Sequence, residues 1–167
     1  DSGFLWTSEK DGYNHIYLFQ MNGKERRQIT KGKWEVTNFY GYDDANKILY
    51  YQSNEESPLE KDIYRINIWG KSKKKLSSEK GTNNASFSKN YSFFINTHSS
   101  ANSPNTINLF NKDGKKLNTI KDSSKLRETL SDYNLTTKDF FTFKTSKGIN
   151  LNGWMMKPPD FNENKKY

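Results

Sequence analysis

The sequence predicts an all-β fold, a partial β-propeller of about three four-stranded antiparallel blades, followed by a short helix and a β-hairpin. Two observations favour this fold. Segments that alternate apolar and polar residues recur along the chain with turn residues between them, as the strands of antiparallel sheets do. One order of strand, loop, strand and glycine turn also occurs three times, at distances of 47 and 44 residues. A period in the forties is typical of a propeller blade.

An isoleucine and a glycine align the three repeats. The isoleucine lies seven residues before the glycine in each repeat, and an aliphatic residue lies six residues after it. These three-residue sets are Ile16, Gly23 and Ile29; Ile63, Gly70 and Leu76; and Ile107, Gly114 and Ile120. Since Asn-Gly and Asp-Gly pairs supply the positive φ that tight hairpins need, the glycines predict turns between two strands.

Each repeat therefore contributes three strands, and a further strand comes between repeats, over residues 34–39 and 85–87. The other predicted strands are 5–9, 15–19, 28–30, 49–55, 62–66, 75–77, 93–97, 106–110 and 119–121. A simple β-meander or sandwich is the alternative fold. Because a propeller ring closes with about four to eight blades, three blades are expected to form part of a larger array.

The sequence that follows the third repeat has a different pattern. Residues 123–130 predict a short helix, in which Ser123 or Ser124 caps the first turn and Leu126 and Leu130 share one face. The blade pattern is therefore expected to end here.

A hairpin is predicted after this helix. Its strands are residues 139–145 and 149–156, and the prolines at 158 and 159 end it because proline donates no hydrogen bond to a sheet. We therefore predict a boundary near residue 131, with blades over 1–131 and a linker and the first strands of another domain over 132–167.

Composition excludes several classes of protein. No apolar run approaches the ~18 residues that a membrane span needs, so no transmembrane helix is expected. The chain has no cysteine, which excludes disulfides, thiolate metal sites and cysteine nucleophiles. Asp1, Ser2 and Gly3 lead directly into a predicted strand, so no targeting segment is expected. Aromatic residues make up 15% of the chain, which argues against disorder.

The basic charge of the chain raises the question of nucleic-acid binding. Lys and Arg number 27 against 19 Asp and Glu, for a net charge of +8. The lysines are spread through predicted turns, with one cluster at Lys71, Lys73, Lys74 and Lys75, and only four residues are arginine, the usual base reader. A solvated basic surface is the expectation, and no nucleic-acid partner is predicted. Nucleic-acid binding stays open as the alternative, and it predicts affinity that falls steeply with salt.

Catalytic and metal-binding patterns are absent from the sequence. No Gly-x-Ser-x-Gly nucleophile elbow occurs, and His15 and His98 are the only histidines. His15 falls in a predicted strand as a structural residue, and His98 falls in a predicted exposed loop. Gly70-Lys71-Ser72 is not a phosphate loop because Arg65 stands where that motif needs glycine. No catalytic residue, metal or cofactor is therefore predicted.

Two further groups of residues invite a binding interpretation. Glu55 and Glu56 are neighbouring carboxylates of the kind that bind a substrate ammonium group, but they fall in a predicted loop, where solvated side chains are expected. Five aromatic residues in strands are typical of either a stacking platform or a core between sheets; the core interpretation is preferred for Trp6, Trp34, Tyr50, Tyr51 and Trp154.

Five segments in order now carry a family resemblance. They are residues 8–17, 29–36 with its Thr-Lys-Gly-Lys-Trp-Glu-Val run, 50–55, 140–143 and 153–161 with its Gly-Trp-Met-Met-Lys-Pro-Pro run. The chain resembles the dipeptidyl aminopeptidase IV branch of the prolyl oligopeptidase family of serine peptidases, over essentially its whole length.

The resemblance implies an eight-bladed propeller followed by an α/β-hydrolase domain that releases short peptides from free N-termini, usually after proline. This chain resembles the last blades and the first hydrolase strands. It would begin after the family's glutamate pair, so that role is not carried onto Glu55 and Glu56, and it would stop before the nucleophile elbow. The substrate-binding residues stay unknown.

Partners and location follow from the same resemblance. Short peptides, the rest of the propeller and the hydrolase domain are the expected partners, with a homodimer of the parent and a periplasmic or cell-envelope location in a bacterium. The alternative function is a propeller-type module that binds a protein or peptide without catalysis.

Overall fold

Three antiparallel sheets follow one another along the chain, one for each sequence repeat. The computed structural model describes residues 3–167. The expectation that no targeting segment is present rests partly on Asp1 and Ser2. These two residues lie outside the described residues. Within residues 3–167 the chain forms thirteen strands and one helix.

The first sheet has three strands in the order β1-β2-β3: Gly3–Ser8, His15–Gln20 and Glu25–Gln28. β3 starts three residues earlier than predicted because its pairing with β2 begins soon after the turn at Gly23. The pairing continues past β3, where the N–H of Ile29 donates to the carbonyl of Ile16 over 2.8 Å.

The second and third sheets have four strands each. The second contains β4 to β7: Val36–Asp43, Ile48–Ser53, Asp62–Asn67 and Lys74–Lys75. The third contains β8 to β11: Thr82–Phe87, Phe93–Ser100, Ser103–Asn111 and Lys116–Lys121. The strands predicted between the repeats, β4 and β8, are the first strands of these sheets. The prediction of a partial propeller of antiparallel four-stranded sheets is confirmed, with the first sheet contributing three strands.

The glycine of each repeat turns the chain between the last two strands of its sheet. Gly23, Gly70 and Gly114 have φ values of 81°, 74° and 81°. Each donates its N–H to the carbonyl three residues earlier, over 2.9 to 3.0 Å. The constant spacing in the sequence therefore encodes one turn used three times.

The second sheet separates two hydrophobic cores. One core joins it to the first sheet and the other joins it to the third. In β5, Leu49 and Tyr51 pack into the first core, and Tyr50 packs into the second. Because β5 is buried on both faces, the three sheets stack face to face as consecutive blades do.

The chain divides into two compact units. The first runs to Ser99 and resumes over Asn105–Asp122, and the second comprises Ser100–Pro104 and Ser123–Tyr167. The first therefore holds nearly all of the three sheets. The predicted domain boundary between residues 131 and 132 concerns a larger protein and stays a prediction.

The second unit contains the helix and the last two strands. α1 spans Ser124–Ser131, and β12 (Lys138–Lys144) pairs with β13 (Asn150–Met156) in a hairpin. The side chain of Asn102 accepts from the N–H of Lys138 over 2.8 Å and donates to its carbonyl over 3.0 Å. At the start of β12, the side chain of Asn102 therefore makes the two hydrogen bonds that the backbone of a neighbouring strand would otherwise make.

The predicted serine cap of α1 is wrong. Ser123 is the N-cap residue, but its φ of 57° is left-handed, and its side chain makes no capping bond. A side-chain cap needs an extended backbone at that position, so the geometry excludes it. No helix within residues 3–167 is long and apolar enough to cross a membrane.

Candidate functional site

A buried polar cluster lies where the second sheet leads into the third. Asp62, at the start of β6, is 2% exposed and accepts a hydrogen bond from the hydroxyl of Ser77 over 2.7 Å. The ammonium of Lys75 lies 2.9 Å from the other carboxylate oxygen of Asp62. Hydrogen bonds to Glu56 and Asp62 outweigh the desolvation of Lys75 and raise its pKa. The buried carboxylate is thus paired with a cation, as a buried charge must be.

Asn83 extends this cluster into the third sheet. Its side-chain nitrogen donates to the carbonyl of Glu79 over 2.8 Å and lies 3.4 Å from Asp62. Its side-chain oxygen accepts from Asn96 over 2.8 Å, and its carbonyl accepts from Gln52 over 2.6 Å. A single buried asparagine therefore joins β5, β6 and β9.

His15 occupies the corresponding place in the first sheet. It is fully buried, with Nε2 3.0 Å from the carbonyl of Gly32 and Nδ1 3.2 Å from the hydroxyl of Thr30. That hydroxyl also accepts the N–H of Ile16 over 2.9 Å. Both ring nitrogens of His15 therefore have a partner within the first repeat. Trp34 packs edge-on against the ring at 4.7 Å.

The His15 site and the Asp62 cluster occupy equivalent positions in the sequence repeat. His15 and Asp62 are 47 residues apart, as are Thr30 and Ser77, and both hydroxyls accept a backbone N–H from β2 or β6. The sequence interpretation missed Asp62, although the 47-residue spacing from His15 to Asp62 was a usable signal. Lys75 and Asn83 had no comparable signal.

His98 is not in an exposed loop, and that prediction is wrong. It belongs to β9, which extends to Ser100, and it is 7% exposed. Its Nδ1 lies 3.0 Å from the carboxylate of Glu79, and its Nε2 lies 2.9 Å from the carbonyl of Lys80. Both ring nitrogens therefore contact the segment that connects the second sheet to the third.

Each of the two neighbouring glutamates is paired with a lysine in or next to β7, the last strand of the second sheet. Glu55 bonds to Lys73, and Glu56 lies 2.6 Å from the ammonium of Lys75. The hydrogen bond from Lys75 lowers the pKa of Glu56. The Glu56 side chain is 54% exposed, but that of Glu55 is only 21% exposed. These carboxylates form ion pairs within the sheet, which leaves them poorly placed to receive an ammonium group.

Three of the five singled-out aromatic residues lie in or against the cores. Tyr50 and Tyr51 are 1% and 0% exposed, and Trp34 stacks on Tyr51 at 6.4 Å. Tyr51 also stacks on Tyr64 at 5.6 Å. Burial raises the pKa of the Tyr51 and Tyr64 hydroxyls. These rings fill the space between sheets and leave no open stacking platform.

Trp6 and Trp154 lie outside both cores within residues 3–167, where they are 63% and 58% exposed. Trp6 lies on β1, the edge strand of the first sheet, on the same face as Phe4, which stacks on Phe19 at 5.5 Å. A cavity of about 300 Å³ opens there beside Gly23. Trp154 lies in the two-stranded hairpin, under the ammonium of Lys138 at 4.8 Å. Both belong to faces that no other strand covers within residues 3–167.

A basic cleft of about 740 Å³ lies between the first and second sheets. Arg26 and Arg27 of β3 line it together with Trp69 from the turn between β6 and β7. Lys47 also lines it and pairs with Asp44 over 2.6 Å. Among the residues that the structure describes, no three His, Cys, Asp or Glu side chains come close enough to hold a metal ion.

Comparison with known proteins finds similarity to proteins named dipeptidyl peptidase 4. The family model described as dipeptidyl peptidase IV (DPP IV) N-terminal region matches residues 1–105. The probable dipeptidyl peptidase 4 of Aspergillus flavus is 30% identical over 169 residues, covering 100% of this chain and 22% of the relative. The dipeptidyl peptidase 4 of Trichophyton rubrum is 32% identical over 167 residues, covering 98% of this chain and 22% of the relative.

A solved structure agrees with these matches. The crystal structure of Porphyromonas gingivalis dipeptidyl peptidase 4 superposes with a TM-score of 0.88 and 46% identity, covering 96% of this chain and 23% of that one. The chain thus spans under a quarter of the length of the relatives that it matches. The resemblance drawn from the sequence motifs is confirmed, and the chain belongs to the dipeptidyl peptidase IV family.

Proposed function

We propose that this chain is a non-catalytic part of a serine exopeptidase that removes dipeptides or tripeptides after proline, and that its blades wall the chamber over the active site. The observation that carries this proposal is the match of nearly the whole chain to less than a quarter of a dipeptidyl peptidase 4, at a TM-score of 0.88. In the parent, the wall would admit short or extended peptides and exclude folded ones.

The contacts between sheets support an incomplete propeller. A Cβ added at Gly70 would lie 3.0 Å from the carbonyl oxygen of Ile29 in the preceding sheet. A Cβ at Gly114 would lie 2.9 Å from the carbonyl of Leu76. Gly23 makes the same turn but has no atom within 4 Å of its added Cβ. We infer that a further blade covers the face that carries Gly23 and Trp6.

The exposed hairpin supports an attachment to a second domain. Apolar side chains on both faces of β12 and β13 are more than 40% exposed, namely Phe140, Phe141, Phe143, Leu151, Trp154, Met155 and Met156. A two-stranded hairpin is marginal in water unless it packs on further structure. We infer that residues 132–167 form the linker and first strands of an α/β-hydrolase domain, and that 1–131 belong to the propeller.

The chemistry of such a parent would be acyl transfer by an activated serine assisted by an oxyanion hole. Neither histidine of this chain suits the general-base role. Both imidazoles are less than 10% exposed, and their ring nitrogens bond to groups of the sheets. We infer that the catalytic residues and the substrate pocket lie elsewhere in the parent, which would act in a bacterial cell envelope and form homodimers.

Hydrolysis of a chromogenic Gly-Pro amide tests this function. The chain alone and the full-length polypeptide that carries it are assayed side by side. Activity confined to the longer polypeptide supports the proposal, and activity of the chain alone contradicts it. If neither is active, failure of a fluorophosphonate to label the longer polypeptide favours the non-catalytic binding module, whereas labelling indicates a peptidase of other specificity.

A further inference from the structure

The positive charge of the chain is concentrated at one edge of each sheet. We define the basic edge as residues 21–33, 68–75 and 112–121, which contain the last strand of each sheet and the turn before it. These segments hold 13 of the 27 Lys and Arg but only two of the 19 Asp and Glu. The rest of the chain has 14 basic and 17 acidic residues, so the basic edge accounts for the whole positive charge.

The three segments of the basic edge adjoin one another. The turn at Gly70 lies against the carbonyl of Ile29, within the first segment. The turn at Gly114 lies against the carbonyl of Leu76, the residue that follows the second segment. The charges therefore form one continuous band along consecutive sheets, although they look scattered in the sequence.

Ion pairs leave much of this charge available. The two acidic residues of the band are paired with cations outside it: Glu25 with Lys10, and Asp113 with Arg65 over 3.0 Å. Lys73 and Lys75 are held by Glu55 and Glu56. None of the ion pairs among the described residues involves Lys71, Lys74 or Lys116, and all three side chains are exposed.

We propose that the basic edge binds a linear anionic polysaccharide. A flexible polyanion can follow a band that runs over successive twisted sheets, whereas a planar lipid surface meets only part of it. Eleven of the 13 cations are lysine and Trp69 is the only aromatic residue of the band. Nucleic-acid surfaces use arginine to read bases and several aromatic rings to stack them. Binding the carboxylate or phosphate groups of a sugar chain requires only positive charge on the protein.

The test measures binding of polygalacturonate to the full-length polypeptide that carries this chain. Two charge-matched triple variants are compared: K71Q/K74Q/K116Q in the band, and K89Q/K147Q/K165Q at exposed lysines outside it. Neutralising three contacts is expected to weaken binding about tenfold at low salt and to flatten its dependence on salt. At an ionic strength of about 0.15 M the control variant is expected to bind within about twofold of the wild type, because charges more than about 8 Å from the bound polyanion are largely screened.

Three results would overturn the proposal. The first is no binding of polygalacturonate at low salt, and the second is an equal loss in both triple variants. The third is tighter binding of a single-stranded oligonucleotide or of vesicles with anionic lipid, which would assign the band to another class of partner. Unchanged circular dichroism and thermal unfolding of both variants show that any loss of binding is not a loss of folding.

Discussion

Comparing alanine substitutions at Gly70 and Gly23 separates the energetic cost of a strained turn from the cost of a tight contact between two sheets. At φ of 74° an alanine is strained by about 1–2 kcal/mol. Its Cβ would also lie 3.0 Å from the backbone carbonyl of Ile29, and overpacking of this kind adds about 1–3 kcal/mol. Gly23 is the matched control, since it has the same turn with φ of 81° and no neighbour within 4 Å.

We therefore expect Gly23→Ala to cost about 1–2 kcal/mol and Gly70→Ala to cost about 2–5 kcal/mol of the free energy of unfolding. Gly114→Ala is expected to behave like Gly70→Ala because its Cβ would lie 2.9 Å from Leu76. Urea denaturation followed by tryptophan fluorescence measures the three values under one set of conditions. Equal losses at all three glycines would refute the inference that these turns pack against the preceding sheet.

Three further predictions concern the buried cluster, alkaline pH and the open faces. Asp62→Ala is expected to cost about 1–3 kcal/mol in urea denaturation because it removes the buried carboxylate that accepts from Ser77 and pairs with Lys75; a loss no larger than that of the exposed-site control Asp139→Ala would contradict this. Burial raises the pKa of Tyr40 to about 12, so its neutral hydroxyl stabilises the fold below pH 10, and this stabilisation disappears as the pH rises towards 12. Between pH 9 and 11 the wild type should lose about 1.4 kcal/mol more than Tyr40→Phe, and parallel pH profiles would argue against it. The chain alone, with its sheet faces uncovered, should associate in light scattering, whereas a monodisperse monomer would count against open faces.

The positions of the strands were predictable because local signals set them. The spacing from Ile16 to Gly23 recurs in all three repeats, and each glycine takes the same turn. Alternation of apolar residues located β5 and β6 to within one or two residues. Such signals depend on the chain neighbours of a residue, which the sequence contains.

Residues whose environment comes from distant segments could not be placed in this way. Asp62 is buried because Ser77 and Asn83 reach it from other elements. His98 is buried because β9 continues two residues beyond it. Conversely, Trp6 has the alternation of a core residue but lies on a face that no strand covers within residues 3–167. Burial is a property of packing between sheets, which alternation along one strand does not report.

The charge pattern shows the same limit. Along the sequence the lysines fall in separate turns, and no motif joins Lys71 to Lys116. The stacking of the sheets at Gly70 and Gly114 brings these turns together. The basic edge is thus a product of the fold.

Labelling with a fluorophosphonate tests most directly whether this chain contributes structure and no catalytic group. The chain and the full-length polypeptide are treated in parallel, and the modified peptide is identified by mass spectrometry. We expect one modified serine in the longer polypeptide, outside these 167 residues, and no modification of the chain alone. A modified serine within the 167 residues would contradict the account.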